Sequence, residues 1–191
     1  MNPITHLFVS WDVANILSSG RRDRTLVTLA GIIPDFDGFG AIPELLTRNS
    51  NHPLFWWTDY HHILGHNLSF GLLITLGSFV IAKKRWQTAL LVFLTFHLHI
   101  LGDILGARGP DGYQWPIPYL YPFSDAWQLV WEGQWALNAW PNFVLTGIAL
   151  VVTFFLAWKR GFSPLEMISN SADQVFVQTL RKRFGKPQIS K

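Results

Sequence analysis

His6, Asp35, Asp37, His61, His62, His66, His99 and Asp103 are the residues of this chain whose types and spacing could do chemistry. Imidazole and carboxylate together suit zinc, manganese or iron, whereas magnesium and calcium prefer all-oxygen shells. His62 and His66, and likewise His99 and Asp103, stand four apart, a spacing that on a helix puts both side chains on one face. Asp35 and Asp37 follow Pro34 in a turn, where a carboxylate can bind an ion directly or bridge two. His97 is two positions from His99 and is expected to point away. Several of these residues interrupt apolar runs, where an ionised group costs roughly 2.5 to 3.5 kcal/mol at a helix centre unless it is paired or metallated. The pattern therefore predicts a divalent metal, zinc first and manganese or iron as alternatives, in a centre of one or two ions. Such an ion acidifies bound water and polarises a scissile group.

Other chemistries are excluded by what is missing. The chain has no cysteine, so thiolate sites, disulfides and cysteine nucleophiles do not arise. Ile63 stands where H-E-x-x-H would need glutamate, and no G-x-S-x-G, Walker A or G-x-G-x-x-G occurs.

The elements that must position these residues read as all-α, a polytopic helical membrane protein. Three segments of about 20 residues, Ile63 to Ala82, Trp86 to Ala107 and Pro141 to Trp158, have the length that crosses hydrocarbon. Two shorter helices, Ile4 to Leu17 and Thr25 to Ile33, form a predicted hairpin ahead of them. After Ser163-Pro164-Leu165-Glu166, a capping-box sequence, an amphipathic helix follows with Ile168, Ala172, Phe176, Leu180 and Phe184 at four-residue spacing. Residues 1–160 are thus expected to form a membrane domain carrying the metal site, and 161–191 a basic tail.

Charge sets the expected topology. If the helices alternate, Arg21, Arg22, Arg24, Lys83, Lys84, Arg85, Lys159, Arg160 and the tail cations through Lys191 share one side, and of the 15 Lys and Arg only Arg48 and Arg108 fall on the other. The positive-inside rule makes the basic side cytoplasmic. The net charge of +3 therefore reads as a topology and lipid signal, with no nucleic-acid partner. From His66 to Lys83 is about 25 Å of helix, and from Arg85 to Asp103 about 27 Å, which brings both clusters to one level at the non-cytoplasmic face. His6 and the Pro34–Asp37 segment reach the same end. Two Gly-, Pro- and Trp-rich connections emerge there. Trp127, Trp131 and Trp135 in the second predict a short interfacial helix after a Ser124 cap.

The order of these motifs resembles the YdjM-like family of bacterial membrane-bound, metal-dependent hydrolases. Thr5-His6, Pro34-Asp35-Phe36-Asp37, His61 through Asn67, His99 to Asp103 and Pro122-Phe123 follow that family's order of Thr-His, Pro-Asp-x-Asp, H-R-G-x-T-H-S, H-x-x-x-D and Pro-Phe. Where the family pattern has Arg, Gly, Thr and Ser, this chain has His62, Ile63, Gly65 and Asn67. A fainter likeness is to zinc-dependent phospholipase C. The resemblance implies a bacterial inner-membrane location, a hydrolytic activity, and His6, Asp35, Asp37, His61, His66, His99 and Asp103 as metal-site residues.

The sequence is therefore expected to encode a multi-pass hydrolase acting on a lipid-borne or membrane-proximal phosphoester. Asp37 is the expected base or bridging ligand and His62 the expected electrophile. Membrane lipid is the expected partner, with a small molecule or lipid as substrate, and the oligomeric state is open. The alternative is an ion carrier or a non-enzymatic metal-binding membrane protein using the same residues.

Overall fold

The computed structural model describes residues 1–17, 19–109 and 111–187; Ser18, Pro110 and 188–191, with Lys191 of the basic tail, lie outside the described residues. Helices dominate. They are α1 Pro3–Ala14, α2 Arg21–Ala30, a 3-10 segment Ile33–Gly40, α3 Ala41–Thr47, α4 Trp56–Tyr60, α5 Leu68–Ile81, α6 Arg85–Gly106, α7 Trp140–Arg160, a 3-10 turn Pro164–Met167 and α8 Asn170–Phe184. A two-residue antiparallel ribbon joins β1 Ile117–Pro118 to β2 Gln128–Leu129.

Packing follows the apolar patterning. Helix α1 lies against α2 and α7, and α6 against α5 and α2. Val13, Ala14, Val27, Ala30, Leu91 and Val92 form one buried cluster between α1, α2 and α6. Phe96, Ile100 and Ile117 form a second beneath the loop ribbon. Each residue of this size contributes roughly 1.5–3 kcal/mol when fully buried, the smaller alanines less.

Two helices, α6 and α7, are long and apolar enough to cross a membrane. The expectation of three long spanning helices is corrected at α5, which has 14 residues and a length of about 21 Å. The physical reason lies at its start. Asn67 caps α5 by accepting from Phe70 N–H, and its own amide donates back to the carbonyls of Ile63 and Leu64, so residues 63–66 fold as a loop instead of a first helical turn. A further apolar stretch is α2 with Ile33–Thr47, bent by 47° at the break.

The predicted interfacial tryptophan helix is also corrected, since residues 124–138 form turns and β2. Helix α6 ends here, and its last carbonyls need donors. Trp135 N–H donates to the Leu105 carbonyl and the Gln134 side chain to that of Asp103, while Asn142 donates to Gly106. The loop backbone is spent on that end. The three indoles diverge accordingly: Trp127 meets Tyr119, while Trp135 stacks edge-on with Trp131 and donates to Asn142 Oδ1.

At the opposite end the basic segments gather. The Asp23 carboxylate accepts from the backbone N–H groups of Lys83 and Lys84 at 2.9 and 3.0 Å. Arg24 and Glu166 form a buried, two-pronged ion pair with both bonds at 2.7 Å, and the guanidinium lies 3.6 Å from the Phe162 ring centre. Glu166 is therefore not the second half of a capping box: the Ser163 N–H bonds Asp173 instead, and α8 starts at Asn170. The buried face of α8 is Asp173, Val177 and Leu180, whereas Ile168, Ala172 and Phe184 of the predicted stripe are exposed.

Candidate metal centre

Three chain segments bring Asp35, His66, His99 and Asp103 together, with one ligand atom from each lying within 4.8 Å of all the others. Asp35 comes from the 3-10 turn that Pro34 opens after α2. His66 sits in the loop that Asn67 fixes ahead of α5, and His99 and Asp103 share one face of α6. The i, i+4 reasoning holds for the α6 pair, and the structure corrects it for His62 and His66: neither lies on a helix, and His62 has φ of 65°. That left-handed backbone is uncommon for a residue with a side chain, although histidine tolerates it better than most.

Each ligand imidazole is locked in one tautomer by a neighbour. His99 Nδ1–H donates to the Gly31 carbonyl at 2.9 Å, and His66 Nδ1–H donates to Asp37 Oδ2 at 3.1 Å. Both Nε2 atoms therefore face inward, 3.1 Å apart. Two bare nitrogens at that distance repel unless a cation lies between their lone pairs. Around them, Asp103 Oδ2 is 3.0 Å from His99 Nε2 and 3.5 Å from His66 Nε2, and Asp35 Oδ1 is 3.6 and 3.9 Å from the same two atoms. Asp103 Oδ2 and Asp35 Oδ2 are buried without a hydrogen bond. Close approach without hydrogen-bond geometry is what converging ligands show. Two imidazoles and two carboxylates fit a divalent ion of the zinc, manganese or iron type.

The remaining predicted residues form a surrounding layer. Asp37 binds no common point with the four; Oδ1 accepts from His61 Nδ1–H at 2.8 Å, and Oδ2 from the Gly65 N–H and from His66. His6 Nε2–H donates to Asp103 Oδ1 at 3.1 Å, and the Met1 ammonium also pairs with that oxygen. His62 is buried beside His61 and His66 with Nδ1 unpartnered. His97 does point away, donating to the Phe93 carbonyl and accepting from the Tyr119 hydroxyl.

Burial alone would lower the pKa of His66, but hydrogen bonds and charge from Asp103 and Asp37 outweigh it and hold the metal-free group up to about 9. His62 goes the other way: burial, reinforced by His66, holds it well below the ordinary value and keeps it neutral.

Supporting residues to which the sequence assigned no role are Gly31, Gly65, Gln134 and Asn142. A side chain on Gly65 would collide with the Pro34 backbone, so the two ligand-bearing loops touch only because this residue is glycine. Their signal was proximity to the motifs, which sequence alone does not convert into contact.

Beside the four ligands opens a cavity of about 570 Å³. Asp35, His61 and His62 face it on one side, while Phe36, Phe39, Trp57, Trp115, Ile32 and Leu137 make its walls apolar.

Fold and site together define a helical membrane protein with a candidate His/Asp metal centre buried at one end of its bundle. The chain matches the family described as YdjM inner membrane protein over residues 1–173, and it belongs to that family. No curated protein and no solved structure matches it, so the fainter likeness to zinc-dependent phospholipase C has no support.

Proposed function

We propose that this protein is a metal-dependent hydrolase of the inner membrane that acts on a lipid-borne phosphoester. One observation carries the reading: one atom from each of two imidazoles and two carboxylates lies within 4.8 Å of the others at the edge of an apolar cavity, with Asp103 Oδ2 buried and unpartnered. A divalent ion, zinc by preference, would be held by Asp35, His66, His99 and Asp103, and would supply Lewis acidity and an acidified water. The number of ions is open to the metal analysis below.

The chain's own groups then divide the work. His61 holds its Nδ1–H on Asp37 and lines the cavity, a carboxylate–imidazole pair suited to taking a proton at Nε2. Asp37 thereby orients the base instead of serving as base itself, because its oxygens are engaged by His61, His66 and Gly65. Neutral His62, with Nδ1 unpartnered at the cavity wall, offers a hydrogen bond to a substrate oxygen. The aromatic walls exclude water and receive hydrocarbon. The cluster of Val13, Val27, Leu91 and Val92 seals the bundle below the site, which favours a pocket over a transit path for ions.

The proposed topology is multi-pass, with the basic end and tail cytoplasmic and the centre at the opposite face. Reporter fusions to the tail test it; a non-cytoplasmic tail overturns this placement. The function is tested by metal analysis of the purified protein and turnover of a panel of phospholipid phosphoesters. Stoichiometric metal and turnover are expected in the unmodified protein, both lost in His99→Ala and Asp103→Ala. Protein without metal overturns the mechanism, and metal without turnover favours the carrier.

A further inference from the structure

Far from the metal centre, the junction of α7 and α8 holds a second concavity, of about 450 Å³. Its walls are Leu150, Val151, Phe154, Phe155, Leu180 and Phe184. The cleft is preformed, because contacts along its length fix α8 to α7. Gly161, in the left-handed region with φ of 87°, ends α7 and lets the chain turn. Arg181 donates to the carbonyls of Trp158 and Lys159, satisfying the end of α7. Trp158 Nε1–H donates to the Gly185 carbonyl at 2.7 Å, and Phe154 meets Phe176 edge-on.

The charges around it have one sign. Lys159, Arg160, Lys182, Arg183 and Lys186 are exposed. Glu166 and Asp173, the acidic residues of the tail among those described, are turned inward onto Arg24 and Ser163. Lys159 extends over the Phe155 ring at 5.7 Å, at the rim of the cleft, and Arg183 stands three residues from the wall residue Leu180, on the adjoining side of α8.

We propose that the α7–α8 cleft binds one anionic phospholipid, with an acyl chain along the apolar wall and the phosphate headgroup against Lys159 and Arg183. Hydrocarbon suits the wall, where the one indole N–H is already taken and no group is left to bond a peptide backbone. An anion suits the rim. A zwitterionic headgroup meets the same wall but presents its own cation to Lys159 and Arg183. This site is independent of the metal centre and of the proposed hydrolysis.

The test uses the full chain in detergent, examined by native mass spectrometry with phosphatidylglycerol or phosphatidylcholine of identical acyl chains. Preferential retention of phosphatidylglycerol is expected. Lys159→Gln and Arg183→Gln together should weaken it about 25-fold, at a factor of about 5 per cation, and leave phosphatidylcholine unchanged. Val151→Trp, at an exposed position, should fill the cleft and weaken retention of both lipids. Equal retention of the two lipids by the unmodified protein overturns the proposal, as does an unchanged preference in the double variant, or a second copy of the chain displacing the lipid. Should the double variant lose its fold, Val151→Trp decides: undiminished retention of phosphatidylglycerol overturns the proposal.

Discussion

Asp37 offers the sharpest division between two roles, direct ligand or supporting acceptor. Its Oδ2 accepts from His66 Nδ1–H and Gly65 N–H, and its Oδ1 from His61. In Asp37→Asn the amide oxygen can stay on Gly65 and His66 while the NH2 turns to His61, whose ring takes its other tautomer. What is lost is the negative charge that raises the basicity of His66 Nε2. Supporting groups of this kind change metal affinity by roughly 10- to 100-fold. Asparagine keeps the geometry and belongs at the low end, about tenfold or about 1.4 kcal/mol. Asp37→Ala leaves His66 Nδ1–H and the Gly65 amide without an acceptor and frees the ring to rotate, so about 100-fold or about 2.8 kcal/mol is expected. The assay is competition for metal against a chelator of known affinity in the purified variants. His97→Gln, whose ring bonds Phe93 and Tyr119 outside the centre, is the control and should bind as the unmodified protein does. Unaltered affinity in Asp37→Ala refutes the supporting role, and loss of all metal in Asp37→Asn, matching His66→Ala, shows that Asp37 ligates directly.

His66→Ala and His99→Ala should each abolish stoichiometric metal, read by elemental analysis, because either change removes an inward lone pair. Gly65→Ala forces a Cβ against the Pro34 backbone and should cost roughly 1–3 kcal/mol in stability while weakening metal binding, measured by thermal unfolding and chelator competition. Glu166→Ala leaves the buried Arg24 guanidinium unpaired and should destabilise by roughly 3–5 kcal/mol, whereas a joint Arg24→Met and Glu166→Leu change should recover most of that loss. A single variant within about 1 kcal/mol of the parent would show that water reaches the pair. Removing metal with a chelator should lower the unfolding temperature of the parent protein but not that of His99→Ala.

Much of the centre was legible in the chain because its residues are chemically anomalous where they stand. Imidazoles and carboxylates in apolar segments demand a partner, and helical rise puts His99 and Asp103 on one face at the level that Asp35 and His66 reach from their own segments. The apolar length of α6 and α7 was equally plain, since a backbone in hydrocarbon must satisfy itself as helix. Sequence failed where a polar side chain rewrote local structure. Asn67 moved the start of α5 and put His66 on a loop, and the exposed carbonyls of α6 drew the tryptophan segment out of helix. Residue type and spacing thus determined which groups needed company. Only tertiary structure decided which nitrogen of each ring faces inward, that Asp37 bonds both His61 and His66, and that Glu166 closes on Arg24. Those choices depend on donors and acceptors brought together from distant positions, and single-chain periodicity carries no information about them.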